Sequence, residues 1–574
     1  MAQTPKSSVK PTPIAGRLLA IAGWGAVVAS LVVTAAVVGG SPDVQKWHDS
    51  DTFIFSLAST YAWSPFFWGQ DRLGMFFPLV AMPVADPLWN MVSQCVLMSL
   101  FGLGAFVLLG WYFTDAKRGA VIGLLIGLAM LFIMDEWRVF QLLIAHSEYL
   151  GSFCLALAGM LVLARGRPGA AAPPGPFRVV AGAILILLGC WINITVPILF
   201  VPMIVGRWLT GSGPMPPVKV NARDLAPVGN AVPTSSAMAL RILRWPFQGQ
   251  RAAYTWSIIV MAAGMVAVKA LAVALNLPKS STALTPASEW LGGWQRMLDN
   301  TMEFLYSLRI WRVFHLRWGL SDEQIRMAKY SVPAFMVVLA LARLPFKGGL
   351  RALARACCVA AVMAVPAVLF FLLAGTLQHV KEYEYGWRYA LPTVILLAAA
   401  VASFTVVIIW SWLAAWRGAP AIAAVVALAL AMPVLALSWY EHPDEQKVRL
   451  AWDQREAWTA VGRMGTLGER CREVIEQRCT HVGGHMWHTW DTVFYTNLLL
   501  YRSGSPRRVY GISWRGEEMR RLWRGMPASA IRLGSMEYDW RDGDMYHLQD
   551  WHSFPRINPE PVEYTTYLHI HVAR

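Results

Sequence analysis

Residues 15–40 read AGRLLAIAGWGAVVASLVVTAAVVGG, and Lys46-Trp47-His48-Asp49-Ser50-Asp51-Thr52-Phe53 follows shortly after. The first stretch carries a single charge, Arg17, and exceeds the ~20 apolar residues that cross a bilayer as a helix. It is too long for the apolar region of a cleavable signal and lacks a cleavage site. Comparable runs recur near 88–114, 119–135, 147–165, 178–192, 194–209, 254–276, 329–345, 354–376, 388–414 and 418–439, so about eleven spans are expected. The pair 178–192 and 194–209 stays open: two short spans broken near Asn193 and Pro197, or one long one. Composition agrees, with 56% hydrophobic and 15% charged residues in a chain of 574, against ~25% charged in a soluble domain. A mainly α, polytopic transmembrane bundle over residues 1–440 follows.

The formal net charge of +15 does not point to nucleic acid, because the basic residues sit mostly in short loops between spans. Lys117 and Arg118, Arg165, Arg167 and Arg178, the loop from Arg207 to Arg251, then Arg343, Lys347, Arg351 and Arg355, and Arg417 all fall on one side. Loops rich in Lys and Arg stay cytoplasmic. The N-terminus is therefore expected inside and the C-terminal tail outside, in a multi-pass protein of the bacterial inner membrane with a periplasmic or extracellular tail.

Residues 41–87 and 277–328 are outer loops rich in aromatics, including Trp63-Ser-Pro-Phe-Phe-Trp68-Gly-Gln-Asp71-Arg72 and an amphipathic stretch over 290–318. Such aromatics favour the membrane interface, so helices lying flat on the bilayer are expected there. The cytoplasmic stretch 210–250, rich in Pro, Gly, Ser and Ala, reads as a flexible loop. From about Glu441 the composition turns polar, with charged helical patterns at 444–462, 470–478 and 516–524 and strand-like alternation at 508–514, 531–535 and 564–572. Residues 441–574 thus read as an extracytoplasmic α/β domain.

Acidic residues beside the first span are costly to place at a membrane and suggest a use. Asp49 and Asp51 are candidates for a general base that deprotonates a hydroxyl; the plainer reading is helix capping. Asp135, Glu136, His146 and Glu148 form a second outer-loop set. Together with Asp71 and Arg72 these groups could assist an acceptor or sugar, or hold a divalent cation, Mg or Mn, through oxygen ligands; loop-edge ion pairs explain them as well. No other cofactor is suggested. A third cluster holds Lys381, Arg388 and Tyr389. Arg388 opens a late span, where a guanidinium can grip phosphate in a bidentate manner or snorkel to water. Lys269, inside 254–276, is a further phosphate partner or another snorkelling cation.

Cys95, Cys154, Cys190, Cys357 and Cys358 lie in or beside apolar runs and read as small core residues. Cys471 and Cys479 are the cysteines of the outward tail, and a disulfide between them is expected in an oxidising compartment. His481, His485, His488 and Asp491 have metal-like spacing, but Gly483-Gly484 interrupts any helix there, so surface or carbohydrate contacts are the plainer reading. No nucleotide-binding loop or hydrolase elbow occurs.

This layout resembles the GT-C superfamily of integral-membrane glycosyltransferases, which use polyprenyl-phosphate-linked sugars outside the cytoplasm. The resemblance rests on His48-Asp49-Ser50-Asp51 after the first span, Asp135-Glu136 at the next outer loop, and Arg388-Tyr389 to Pro392 opening a late span. A serine separates the two aspartates, unlike the commonest acidic pairs of the superfamily, which leaves Asp49 and Asp51 both open as the base; Asp51, nearer the following apolar segment, is favoured. The resemblance implies inverting sugar transfer from a polyprenyl-phosphate donor to a glycan, lipid or protein acceptor, with Arg388 on the donor phosphate. A transporter or flippase of lipid-linked sugars would want mid-membrane polar residues and internal pseudo-symmetry, neither of which is evident. A polymerase or ligase of lipid-linked glycans is the third alternative.

Overall fold

The computed structural model describes residues 13–41, 48, 50–61, 63–67, 73–134, 136–164, 174–210, 251–275, 295, 297–299, 321, 337–338, 341–342, 349–375, 387–413, 419–437, 466–476, 478, 481–483, 486–512 and 546–547. Helices dominate. They are α1 (Pro13–Gly40), α2 (Ser50–Thr60), α3 (Phe76–Ala81), α4 (Pro87–Phe113), α5 (Ala116–Ile133), α6 (Glu136–Phe140), α7 (Ser147–Ala164), α8 (Pro176–Ile192), α9 (Thr195–Thr210), α10 (Arg251–Ala274), α11 (Gly349–Gly375), α12 (Trp387–Leu413), α13 (Ala419–Leu437), α14 (Thr466–Glu476) and α15 (Met486–Arg502). A π-helical turn, Gln141–Ala145, joins α6 to α7.

Among the described residues, six helices are long and apolar enough to cross a membrane: Ile21–Gly40, Pro87–Phe113, Ser147–Ala164, Ala252–Ala274, Gly349–Ala374 and Ala390–Trp410. The count of eleven is not reached there. The run near 329–345 falls mostly outside the described residues. The stretch 178–209 resolves into two helices, α8 and α9, of 17 and 16 residues. Asn193 makes the break: its backbone is extended, and its Oδ1 accepts from the N–H of Thr195, 3.0 Å away, capping α9. At ~1.5 Å per residue each helix is only about 25 Å long.

Helix α4 is the axis of the bundle, packed by α1, α5, α7, α2 and α15. Asp86 starts it by accepting from the N–H groups of Leu88 and Trp89 at 2.9 and 3.0 Å, and Pro87 fills the first turn, where its missing N–H costs nothing. Helices α1 and α4 run antiparallel. Trp24 meets Trp111 at 5.5 Å at one end, and Gly39 closes on α4 at the other, where a Cβ would fall 2.6 Å from the Val96 nitrogen. Helices α11 and α12 are likewise antiparallel, and Thr393 donates to the Ala367 carbonyl at 3.0 Å.

The bundle therefore has two poles. One gathers the end of α1, α2, the start of α4 and the π turn. The opposite pole is basic. There Arg118 lies over the Trp410 ring at 5.9 Å. Arg207, 2% exposed, donates to the Tyr112 carbonyl and sits 4.1 Å over the Tyr112 ring and 5.9 Å from that of Tyr254. It ties α9 to α4 and α10 through cation–π contact.

Within residues 41–87 the chain forms α2 and α3, and the apolar side chains of α2 are enclosed by the protein itself. Phe53, Ile54, Leu57 and Ala58 are buried, because α4 packs on one side of α2 and α15 on the other. The next segment folds back on itself: Phe66 bridges Gly74, and the Gly74 N–H donates to the Trp191 carbonyl at 3.0 Å, terminating α8. A Cβ on Gly74 would lie 2.5 Å from that oxygen.

In the tail, the pattern at 508–514 appears as β2 (Tyr510–Ile512) and that at 470–478 as α14. With β1 (His481–Gly483) and β3 (Tyr546–His547) the strands form a parallel sheet in the order β2-β1-β3. The patterns at 444–462, 516–524, 531–535 and 564–572 lie outside the described residues.

Candidate functional site

Asp51 lies in the first turn of α2, half-buried, at the N-terminal end of the helix dipole. His48 precedes it and folds under the same turn. Its Nδ1 is 3.0 Å from Thr52 Oγ1 and its Nε2 3.7 Å from Cys95 Sγ on α4. The ring meets the edge of Phe140 at 5.2 Å, at the end of α6. Burial lowers the His48 pKa to about 3, so the imidazole is neutral at pH 7, with one nitrogen donating and the other accepting.

Beneath His48 is a cavity of about 10 Å³ lined by Thr52, Ser56, Met91, Gln94, Cys95 and Ile144 among others. A polar ladder joins α2 to α4 beside it. Ser56 donates to the Pro87 carbonyl at 2.9 Å and Ser59 to that of Pro78 at 2.8 Å. Asn90 donates to Ser59 Oγ at 2.8 Å. Gln94 donates to Asn90 Oδ1 at 2.7 Å and to the Phe55 carbonyl at 3.2 Å. Gln94 Oε1 is buried with no hydrogen-bond partner among the described residues. Asn90 and Gln94 were not anticipated as site residues. Their signal was present, as two amides four apart inside an apolar run, where polar groups are expensive.

Helix α15 roofs this pole. Phe494 stacks on Phe53 at 4.5 Å, with Tyr495 edge-on at 5.4 Å. Arg502 pairs with Asp86 at 2.8 Å. Arg508 lies over Tyr61 at 5.0 Å and donates to the Thr60 carbonyl at 3.3 Å. Burial raises the pKa of both Tyr61 and Tyr495, so both stay neutral phenols. Asn497 anchors α15 to the strand region, exchanging hydrogen bonds with Val509 at 2.7 and 2.9 Å.

Of the expected site residues, Asp49, Asp71, Arg72, Asp135 and Lys381 lie outside the described residues. Glu136 opens α6, whose last residue, Phe140, meets the His48 ring, so this segment is brought against the one that follows α1. His146 Nδ1 lies 3.6 Å from Glu148 Oε1 just beyond the π turn. Arg388 and Tyr389 fall in the first turn of α12, at the pole of Asp51; α12 itself packs on α11 and α5. Lys269 is exposed on α10, beside Val268 and Ala272, which pack on Phe66 and Trp191. Cys471, buried in α14, directs its thiol to the Thr492 carbonyl at 3.8 Å, and burial pushes its pKa up to about 12. Its expected partner, Cys479, and likewise His485, are outside the described residues. Among the described residues no three of His, Cys, Asp and Glu cluster as a metal site.

The fold and site define a helical protein with six helices among the described residues able to span a membrane and a polar centre at one pole. The chain matches no protein-family profile and no curated protein sequence.

Proposed function

We propose that the chain is an integral-membrane glycosyltransferase of the GT-C type, moving a sugar from a polyprenyl-phosphate donor to an extracytoplasmic glycan, lipid or protein. The observation that supports it is the setting of Asp51: a carboxylate at the head of a helix whose apolar residues are locked between the bundle and α15. A base held on a rigid element is what proton abstraction from an acceptor hydroxyl requires. In this reading the basic pole faces the cytoplasm, the Asp51 pole faces outward with an α/β tail over it, and further spans complete a set of about eleven. The membrane is the bacterial inner membrane.

Asp51 takes the acceptor proton as the acceptor oxygen attacks the anomeric carbon. The carbon–phosphate oxygen bond breaks, and polyprenyl phosphate leaves with both bonding electrons. Attack opposite the leaving group inverts the anomeric centre. Arg388 holds the donor phosphate and offsets the charge that gathers there. The test is purified protein incubated with a panel of polyprenyl-phosphate sugars and candidate acceptors, with products read by mass spectrometry. Transfer that disappears in Asp51→Asn supports the reading; no transfer from any donor in the panel counts against it.

A further inference from the structure

The face of α4 that turns towards His48 carries Met91, Cys95 and Met98. Steps of four and three residues place them on one stripe of a helix. All three line the cavity beneath His48, together with Gln94. Two thioethers, a thiol and an imidazole around one water-sized space form a soft donor set. Thiolate and thioether ligands select Cu(I), whereas Mg, Ca and Mn want oxygen.

Two further observations point to a ligand rather than to packing alone. The first is the presentation of the imidazole. Its Nδ1 faces Thr52 Oγ1 at 3.0 Å, and an N–H donated there leaves the Nε2 lone pair directed at Cys95 Sγ, 3.7 Å away. Metal-bound histidines are oriented in this way by a hydrogen bond at the second nitrogen. With zinc's bond lengths as a guide, ~2.3 Å to sulfur and ~2.05 Å to nitrogen, one ion spans that separation at an angle of about 115°. The second is Gln94, which lines the same cavity: its side chain is 2% exposed and its Oε1 acceptor has no partner among the described residues.

We propose that His48, Met91, Cys95 and Met98 bind one Cu(I) ion between α2 and α4. Binding exchanges the Cys95 thiol proton for the metal, Cys–SH plus Cu⁺ giving Cys–S–Cu plus H⁺, with no change of oxidation state. This inference does not depend on the proposed sugar transfer.

The test uses the full-length protein in detergent, stripped of metal and reduced, titrated anaerobically with Cu(I) against a chromogenic Cu(I) chelator. Bound copper is counted by elemental analysis and its ligands are read by X-ray absorption at the copper edge. Comparison with Cys95→Ser subtracts copper held by the other cysteines. Wild type is expected to hold one equivalent more than Cys95→Ser, with sulfur and nitrogen in the first shell. Met91→Leu/Met98→Leu nearly preserves volume and keeps the fold testable; it is expected to weaken binding at least tenfold. Equal copper in wild type and Cys95→Ser, unchanged affinity in the double variant, or equal retention of Zn(II) in a parallel titration overturns the assignment.

Discussion

Phe494 stacks on Phe53, with ring centroids 4.5 Å apart and planes 27° from parallel. Both rings are buried, at 0% and 2% exposure. The contact joins the C-terminal tail to the first helix after α1, so the fold of the Asp51 region and that of the tail are one problem.

Phe494→Ala removes a buried aromatic from both sides of that contact. A loss of ~3–5 kcal/mol is expected, seen as a lower melting temperature and as faster proteolysis within the α14–α15 segment. A melting curve unchanged within error would show that the tail docks by other means.

Asp86 has two tasks, one for each oxygen. Oδ1 caps α4 and Oδ2 holds Arg502 at 2.8 Å. Asp86→Asn keeps the cap and loses the ion pair, whereas Asp86→Ala loses both. Ala is expected to cost ~1 kcal/mol more than Asn, the usual worth of a cap. A double-mutant cycle of Asp86→Asn with Arg502→Gln should show coupling, since both side chains are mostly buried, at 14% and 9% exposure. Additive effects would show that the pair contributes nothing.

His48 makes stability depend on pH. Its folded pKa is lowered to about 3 by burial, while the unfolded ring titrates near 6.5. The unfolded state thus binds the proton first, and stability falls as pH drops below ~6.5 and levels off near the folded value. Between pH 6.5 and 5 the loss is on the order of 2 kcal/mol. His48→Asn should flatten this part of the melting-temperature profile; an identical profile in the variant would place the titration elsewhere.

Under the proposed sugar transfer, Asp51→Asn and Arg388→Ala should fail differently. The first preserves size but cannot take a proton, so turnover drops by ~10²-fold or more while donor binding survives. The second loses a charge-assisted grip, so donor affinity falls as well. Turnover and direct donor binding, measured on folded variants, separate the two. Near-normal turnover in Asp51→Asn with an inactive Asp49→Asn would move the base to Asp49, and activity in both would leave the aspartates as caps.

The long apolar runs were legible because twenty apolar residues have few other fates, and α1, α4, α10, α11 and α12 fall close to where hydropathy puts them. The break at Asn193 was legible as one of two options, since a short polar side chain and a nearby proline are local signals. The enclosure of α2 was not. Nothing near Phe53 announces a partner at Phe494, because aromatics at a membrane surface and aromatics under a docked helix look alike in sequence. The π turn at Gln141–Ala145 was equally hidden: an extra residue in a helical turn changes no apolar pattern. Asn90 and Gln94 lie in plain view in the run 88–114, but two amides do not spoil its hydropathy and so do not mark a site there.

The stack of Phe494 on Phe53 also sets a schedule for biosynthesis. Some 440 residues separate the two rings. At roughly 5–20 residues per second, α2 leaves the ribosome about 20–90 seconds before its cover exists. Through that interval its apolar flank is bare, and the newborn chain needs the bilayer surface or a chaperone to shield it. Premature termination upstream of α15 would make that exposure permanent, leaving a bundle whose Asp51 pole is never closed.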